Sequence, residues 1–371
     1  MIQKNHVLII AFSFYPDKSV AALRPKYWAE SLINEGKRVS VFTNAKINPT
    51  NTGVLKEIAV KQIELAPKKT FSLIADQGDR WGNPLLNELS KYDVNDFTSI
   101  IITGGPFMHM LIGKQLKSRF NAQLIIDFRD PFAINPRFND SWFKISIKKI
   151  FEKRICASAD SVITVNAFTG KLIQVDPKKL TIIDNGFDEG LVNLVMNEGV
   201  NKEKSSTIKI VHTGKFYHPL VPSTVIEAIQ DRNNFEFVHY GDSLNVASSI
   251  KRVSTHSFVP YKQVLSAIQE CNIGLVLTNG ESFVSTTKIF DYIGLQKQIL
   301  IVTNGVVKTG NLHEITKGNP NVYWSLNDKD EIGKTIDRMA NEPYQAIDTT
   351  PYSRGYQFQK LLSIIDKTGK Q

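Results

Sequence analysis

Ser99 to Asp130 reads SIIITGGPFMHMLIGKQLKSRFNAQLIIDFRD. An apolar β-branched run meets Gly104-Gly105-Pro106, a helix-like amphipathic stretch follows from Met108 to Phe120, and Gln123 to Asp127 is a second apolar run. Two short buried strands joined by a helix-length crossover predict a parallel pair within a βαβ unit. Outward from this unit, Val7 to Phe12, Val39 to Thr43, Ser161 to Val165 and Leu180 to Ile183 read as further strands. Pro25 to Glu35 and Trp142 to Ala157 read as helices.

The alternation restarts downstream. Ile208 to His212, Phe235 to Tyr240, Ile273 to Thr278, Ile299 to Thr303 and Val322 to Ser325 read as strands, with helices over Ser223 to Gln230, Tyr261 to Glu270, Thr287 to Leu295 and Asp330 to Ala340. The polar segment Asn185 to Ser206 suits a linker with a short helix. The expected fold class is α/β: two Rossmann-like, doubly wound domains facing across a cleft, over residues 1–190 and 191–350, followed by a C-terminal helix in 351–371. In such sheets, ligands bind at the loops leaving the carboxyl ends of the strands.

The 371 residues are 42% hydrophobic and 22% charged, which excludes a disordered, collagenous or coiled-coil chain. Met1 to Asp184 holds 26 Lys and Arg against 17 Asp and Glu, whereas the remaining 19 of each sign balance. That one-sided charge points to an anionic partner of the first half. Cys156 and Cys271 have no ligand or redox spacing, so no disulfide framework or metal site is expected. The N-terminus has no signal-peptide pattern, and the longest charge-free window, Phe97 to Gly113, is broken by Gly104-Gly105-Pro106. A cytoplasmic protein is expected, peripheral at most on the inner face of the cell membrane, with no nucleic-acid partner.

The loops carry the candidate chemistry. Phe12 to Ala21 lacks the glycine pattern of a dinucleotide cradle; Arg24 beyond it reads first as a surface salt bridge, with contact to an anion as the alternative. Gly104 and Gly105 allow close ligand approach or simply make a turn, and His109, near a helix start, reads first as a packed neutral histidine, with a ligand contact as the alternative. Arg129 and Asp130 sit where a buried strand leaves the sheet, a place at which charges must be paired or meet a ligand. Gly214-Lys215 ends the first strand of the second half, where a lysine can neutralise phosphate. Glu281, Ser285, Thr286, Thr287, Lys288 and Asp291 run from a strand into a helix and offer hydroxyls, a cation and a carboxylate. Asp328-Lys329-Asp330 is read as a helix cap rather than a metal motif. Trp142 to Arg154 combines aromatics with Lys144, Lys148, Lys149, Lys153 and Arg154. Such a helix can lie on an anionic bilayer, or it can cover a sheet with Ile147, Ile150 and Phe151.

In this order, Phe14-Tyr15-Pro16 with Arg24, Thr103-Gly104-Gly105-Pro106, Asp127-Phe128-Arg129-Asp130-Pro131, Ala159-Asp160-Ser161, Asn185-Gly186-Phe187-Asp188, Gly214-Lys215-Phe216-Tyr217 and Lys288-Ile289-Phe290-Asp291-Tyr292 resemble the GT-B glycosyltransferases. The likeness is to the retaining, family 4-like group of bacterial polysaccharide and lipopolysaccharide assembly. It implies a metal- and cofactor-independent hexosyl- or other glycosyltransferase that moves a sugar, with retention, from a UDP- or GDP-linked donor to an acceptor hydroxyl on a glycan or lipid-linked acceptor. It places the acceptor on the first domain (Arg24, Gly104, Gly105, His109) and the donor on the second, and it implies that the last helix, around Tyr352 to Ile365, crosses back to the first domain. Lys215 then stands at a pyrophosphate position, Asp291 where a glutamate binds ribose hydroxyls, and Arg129-Asp130 in place of an active-site His-Asp pair. The pattern departs at Phe283, where a first glutamate is usual, and at Leu220 and Val221, where a second basic residue is usual. Two other readings stay open: a non-catalytic anion- or membrane-binding protein on the same frame, and a sugar-nucleotide epimerase.

Overall fold

The computed structural model describes residues 5–17, 19–47, 57–68, 74–198, 207–216, 222–244, 250–284 and 286–367. They form two compact units, one of Met1–Asp184 with Phe358–Gln371, the other of Asn185–Gln357.

In the first unit the strands are β1 (His6–Ala11), β2 (Arg38–Thr43), β3 (Ala59–Gln62), β4 (Ser99–Thr103), β5 (Gln123–Phe128), β6 (Ser161–Thr164) and β7 (Leu180–Ile182). The helices are α1 (Val20–Asn34), α2 (Gly78–Leu89), α3 (Gly113–Phe120), α4 (Trp142–Ser158) and α5 (Ala167–Leu172). All seven strands pair in parallel in the order β3-β2-β1-β4-β5-β6-β7. The order reverses between β1 and β4, so the loops after these two strands flank the switch point. Alternate residues feed opposite faces: Leu8, Ile10, Ile100, Ile102 and Leu124 pack with Trp81, whereas Val7, Ile9, Ile101 and Ile125 pack with Trp28 and Leu32. A sheet covered on both faces explains strands that are apolar throughout.

The second unit repeats the plan with α6 (Glu189–Glu198), β8 (Ile208–Gly214), α7 (Ser223–Gln230), β9 (Phe235–Gly241), β10 (Val253–His256), α8 (Tyr261–Gln269), β11 (Ile273–Thr278), α9 (Lys288–Gly294), β12 (Gln298–Thr303), α10 (Gly310–Thr316), β13 (Val322–Leu326) and α11 (Lys329–Asn341). Its sheet runs β10-β9-β8-β11-β12-β13, again wholly parallel. The switch point here lies between β8 and β11. Asp328 caps α11 by accepting from the backbone N–H groups of Asp330 and Glu331, as expected of that triplet. The last helix, α12 (Arg354–Lys367), changes unit after Gln357, and Phe358, Leu361, Ile364 and Ile365 are buried in the first core.

Several expectations need correction. Helix α1 begins at Val20 rather than Pro25, so the proline lies inside it. The helix expected over Met108 to Phe120 is a 3-10 turn, Met108–Ile112, followed by α3. Ile150, expected to help cover the sheet, is 53% exposed.

Candidate functional site

In the first unit, three of the expected ligand-binding groups serve the framework instead. Arg24 is buried against the fully buried Asp127. Its Nε and Nη2 donate to the two carboxylate oxygens at 3.2 Å, and Nη1 and Nη2 donate to the carbonyls of Asp184 and Ile183 at 3.0 Å. Thr103 Oγ1 donates to the same carboxylate at 2.6 Å. A guanidinium arranged this way joins β4, β5, α1 and the chain after β7, which corrects its expected place on the acceptor side.

Arg129 has an equally local task. Pro25 has no N–H, so it leaves the Ala21 carbonyl of α1 without its i+4 donor. Arg129 Nη1 donates to that carbonyl at 2.6 Å, and Nη2 reaches the Val20 carbonyl at 3.4 Å. The side chain therefore supports a helix that carries an internal proline. Asp130, the next residue, is exposed.

Gly104 turns the chain with φ +76° after β4, and Gly105 is exposed. The amides that open the following turn are already satisfied. Asp76 accepts from the N–H groups of Phe107 at 2.8 Å, Met108 at 3.2 Å and Gly78 at 2.8 Å. His109 is fully buried edge-on to Trp81, ring centroids 4.8 Å apart, and desolvation pushes its imidazole down to about 3. It is a neutral core residue; among the described residues, no well-formed hydrogen bond reaches either ring nitrogen.

In the second unit, parallel strands bring the loops after β8, β9 and β11 to one edge of the sheet. Gly214 adopts φ +90°, and Gly241, its register partner on β9, approaches so closely that a Cβ there would lie 2.1 Å from the Gly214 carbonyl oxygen. Lys215 is exposed beyond this turn. Phe216 stacks on His212 at 4.7 Å and lies 4.4 Å from His239, and its N–H donates to Asp242 Oδ2 at 3.0 Å. Tyr217, Leu220, Val221 and Ser285 lie outside the described residues, and Glu281, Thr286 and Thr287 are half-buried.

Lys288, in the first turn of α9, sets its Nζ 2.8 Å from His212 Nε2. Burial pulls the amine down to about 7. Among the described residues, no carboxylate pairs with it. The residue is half-buried overall, while its ammonium end is desolvated. His212 is itself held well below the usual imidazole range, by burial and then by the neighbouring lysine charge.

Asp291 is 6% exposed, its Oδ1 accepts from Tyr261 Oη at 2.6 Å, and burial raises its carboxyl to about 6. In this structure Tyr261 holds the carboxylate that the resemblance sets at a ribose-binding position.

No motif in the sequence marks His212, His239, Asp76 or Tyr261 as functional. One signal was present: Val211-His212-Thr213-Gly214 and Val238-His239-Tyr240-Gly241 are the same Val-His-X-Gly pattern on two strands. In the sheet they pair residue for residue, so both histidines and both glycines adjoin.

No protein-family model matches the sequence, and no curated protein is detectably similar to it. Solved structures do share its fold. Alr3699/HepE of Anabaena, crystallised with UDP-glucose, superimposes with a TM-score of 0.65 at 13% identity over 98% of this chain and 99% of that one. WaaG, a glycosyltransferase involved in lipopolysaccharide biosynthesis, gives 0.59 at 12% identity over 97% and 95%. A putative UDP-N-acetylglucosamine 2-epimerase of Listeria monocytogenes gives 0.55 at 13% identity over 97% and 95%. The fold is thus the two-unit α/β architecture of the GT-B proteins.

Proposed function

We propose that the chain is a glycosyltransferase that binds a nucleoside-diphosphate sugar at the carboxyl edge of its second sheet and passes the sugar to an acceptor hydroxyl. The observation that carries this reading is Lys288: a desolvated amine at the β8/β11 switch point, held by a neutral imidazole instead of a carboxylate. An anionic diphosphate is the partner such a group lacks, and a preorganised cation stabilises the charge that grows on the leaving diphosphate. Lys215, exposed in the adjoining turn, supplies a second cation. Exposed Asp130, at the end of β5, is assigned to orienting the acceptor hydroxyl. Retention of anomeric configuration and a role in assembling cell-surface polysaccharide or glycolipid are added to the proposal on the sequence motifs shared with the retaining, family 4-like group.

Incubation with UDP- and GDP-sugars and saccharide or lipid-linked acceptors should release nucleoside diphosphate only when donor and acceptor are both present. Asp130→Ala should abolish that release and leave nucleotide affinity within about threefold. Donor conversion without any acceptor would favour the epimerase reading.

A lipid-linked acceptor fits helix α4. Its outward arc carries Trp142 (79% exposed), Phe143 and Ile150 together with exposed Lys153 and Arg154, while Glu152, Ile155 and Cys156 face the core. Exposed Phe138 precedes the helix. Lys148 is not part of this surface, because it pairs with Asp140 at 2.5 Å. Among the described residues, no helix is long and apolar enough to cross a membrane. An aromatic and basic arc without acidic residues suits an anionic bilayer surface, where each basic residue contributes about 1 kcal/mol. Lys153→Glu with Arg154→Glu should therefore weaken binding to phosphatidylglycerol-containing vesicles at least about tenfold. Equal sedimentation of variant and wild type with those vesicles would remove α4 from the contact.

A further inference from the structure

Two buried histidines stand behind Lys288, and the nucleotide reading alone does not require either. His212 lies in the buried part of β8, His239 is its register partner on β9, and Phe216 packs against both rings. Four distances define the chain: Lys288 Nζ to His212 Nε2 at 2.8 Å, His212 Nδ1 to His239 Nδ1 at 3.1 Å, His239 Nδ1 to the His212 carbonyl oxygen at 3.1 Å, and His239 Nε2 to the Asp242 carbonyl oxygen at 2.8 Å.

Only one neutral proton arrangement satisfies both 2.8 Å contacts together with a hydrogen bond between the two rings. A carbonyl oxygen accepts and never donates, so the nitrogen 2.8 Å from the Asp242 carbonyl carries a proton, and His239 is the Nε2–H tautomer. Its Nδ1 is then a lone pair. The only proton available between the two rings is on His212 Nδ1, which donates to it. His212 is thereby the Nδ1–H tautomer, and its Nε2 presents a lone pair to the Lys288 ammonium. The 3.1 Å approach of His239 Nδ1 to the His212 carbonyl is left as a contact without a proton. The opposite assignment would set two acceptors against each other at 2.8 Å. Burial disfavours a charged imidazole at either position.

We propose that His212 is a positioning residue, locked by His239 and the Asp242 carbonyl in the Nδ1–H tautomer so that its Nε2 holds the Lys288 ammonium in place for an arriving phosphate. The proposal rests on the nucleotide reading for its purpose but not for its geometry. A carboxylate in this position would neutralise the lysine, and a phosphate would have to displace it. A neutral acceptor fixes the direction of the ammonium and leaves its charge uncompensated. Because the tautomer is set by a backbone carbonyl two links away, the holder cannot turn into a competing donor without breaking the hydrogen bond to Asp242.

The lock is tested on the full, ligand-free chain by imidazole nitrogen NMR at neutral pH with 15N-labelled histidine, the His212 signals being assigned by their loss in His212→Gln. The expected spectrum shows His212 as neutral Nδ1–H and His239 as neutral Nε2–H. An Nε2–H or doubly protonated His212 overturns the proposal. Calorimetric titration with UDP and with GDP supplies the functional arm. His212→Gln, which keeps an acceptor at that reach, should hold the wild-type dissociation constant within about threefold, whereas His212→Leu should weaken it about tenfold or more. Equal losses in both variants would show that the imidazole only fills space, which also overturns it. If neither nucleotide binds the wild-type chain, the phosphate site itself fails, and the spectrum still decides whether the tautomer lock exists.

Discussion

Lys288→Met is expected to weaken nucleoside-diphosphate binding roughly 10- to 150-fold, the worth of about 1.5–3 kcal/mol for a charge-assisted hydrogen bond, while making the protein more heat-stable. The two effects share one cause. Desolvation lowers the amine from 10.5 to about 7, so the folded chain gives up a proton that the unfolded chain keeps. Between pH 7 and 10.5 the unfolded state binds more protons, and stability rises with pH across that window. Below pH 7 both states are charged and the whole burial penalty remains. Methionine removes the penalty but keeps the volume. Partial exposure of the residue reduces the gain to about 1 kcal/mol, or about 2–4 °C in Tm at pH 6.5. The gain should shrink towards pH 10. Calorimetric scans and nucleotide titrations of wild type and variant check both halves; a Tm that falls at pH 6.5 would contradict the desolvated-amine account. A group that destabilises the fold yet persists in it is what a binding site requires.

The second large effect lies in the first unit. Arg24→Met should destabilise it by about 3–5 kcal/mol, because Asp127, with 0% exposure, would be left with Thr103 as its remaining side-chain donor. The carbonyls of Ile183 and Asp184 would also lose their donor. Adding Asp127→Leu should recover part of the loss, since an apolar pair removes the uncompensated charge. Urea unfolding of the single and double variants measures this directly. If Arg24→Met costs under about 1 kcal/mol, the guanidinium is not the framework element described above.

The frame was legible in the sequence because both sheets are parallel and covered on both sides. Strands such as Ile100 to Ile102 and Leu124 to Ile126 therefore announce themselves as unbroken apolar runs. Edge strands do not have that property. Strand β3, Ala-Val-Lys-Gln, is half-exposed, and β10, Val-Ser-Thr-His, is mostly exposed; neither has an apolar run to read. Helix α1 was read five residues late because Pro25 looks like a first-turn proline, and its placement inside the helix depends on Arg129, over a hundred residues away in the chain, reaching the vacant carbonyl.

The candidate site divides in the same way. Lys288 was legible as a cation at a strand-to-helix loop. That it is buried against an imidazole depends on which strands neighbour β8, and the sheet order is not written in any local pattern. Arg24, His109 and Asp291 were legible as chemically suggestive residues, but burial decides their use. Each is under 10% exposed and packed on Asp127, Trp81 or Tyr261 respectively.

The most direct test is a crystal structure of the chain with UDP or GDP bound. The account predicts a diphosphate oxygen within hydrogen-bonding distance of Lys288 Nζ, at the edge where Gly214-Lys215 leaves β8. A nucleotide lodged elsewhere, with Lys288 facing no phosphate, would contradict it.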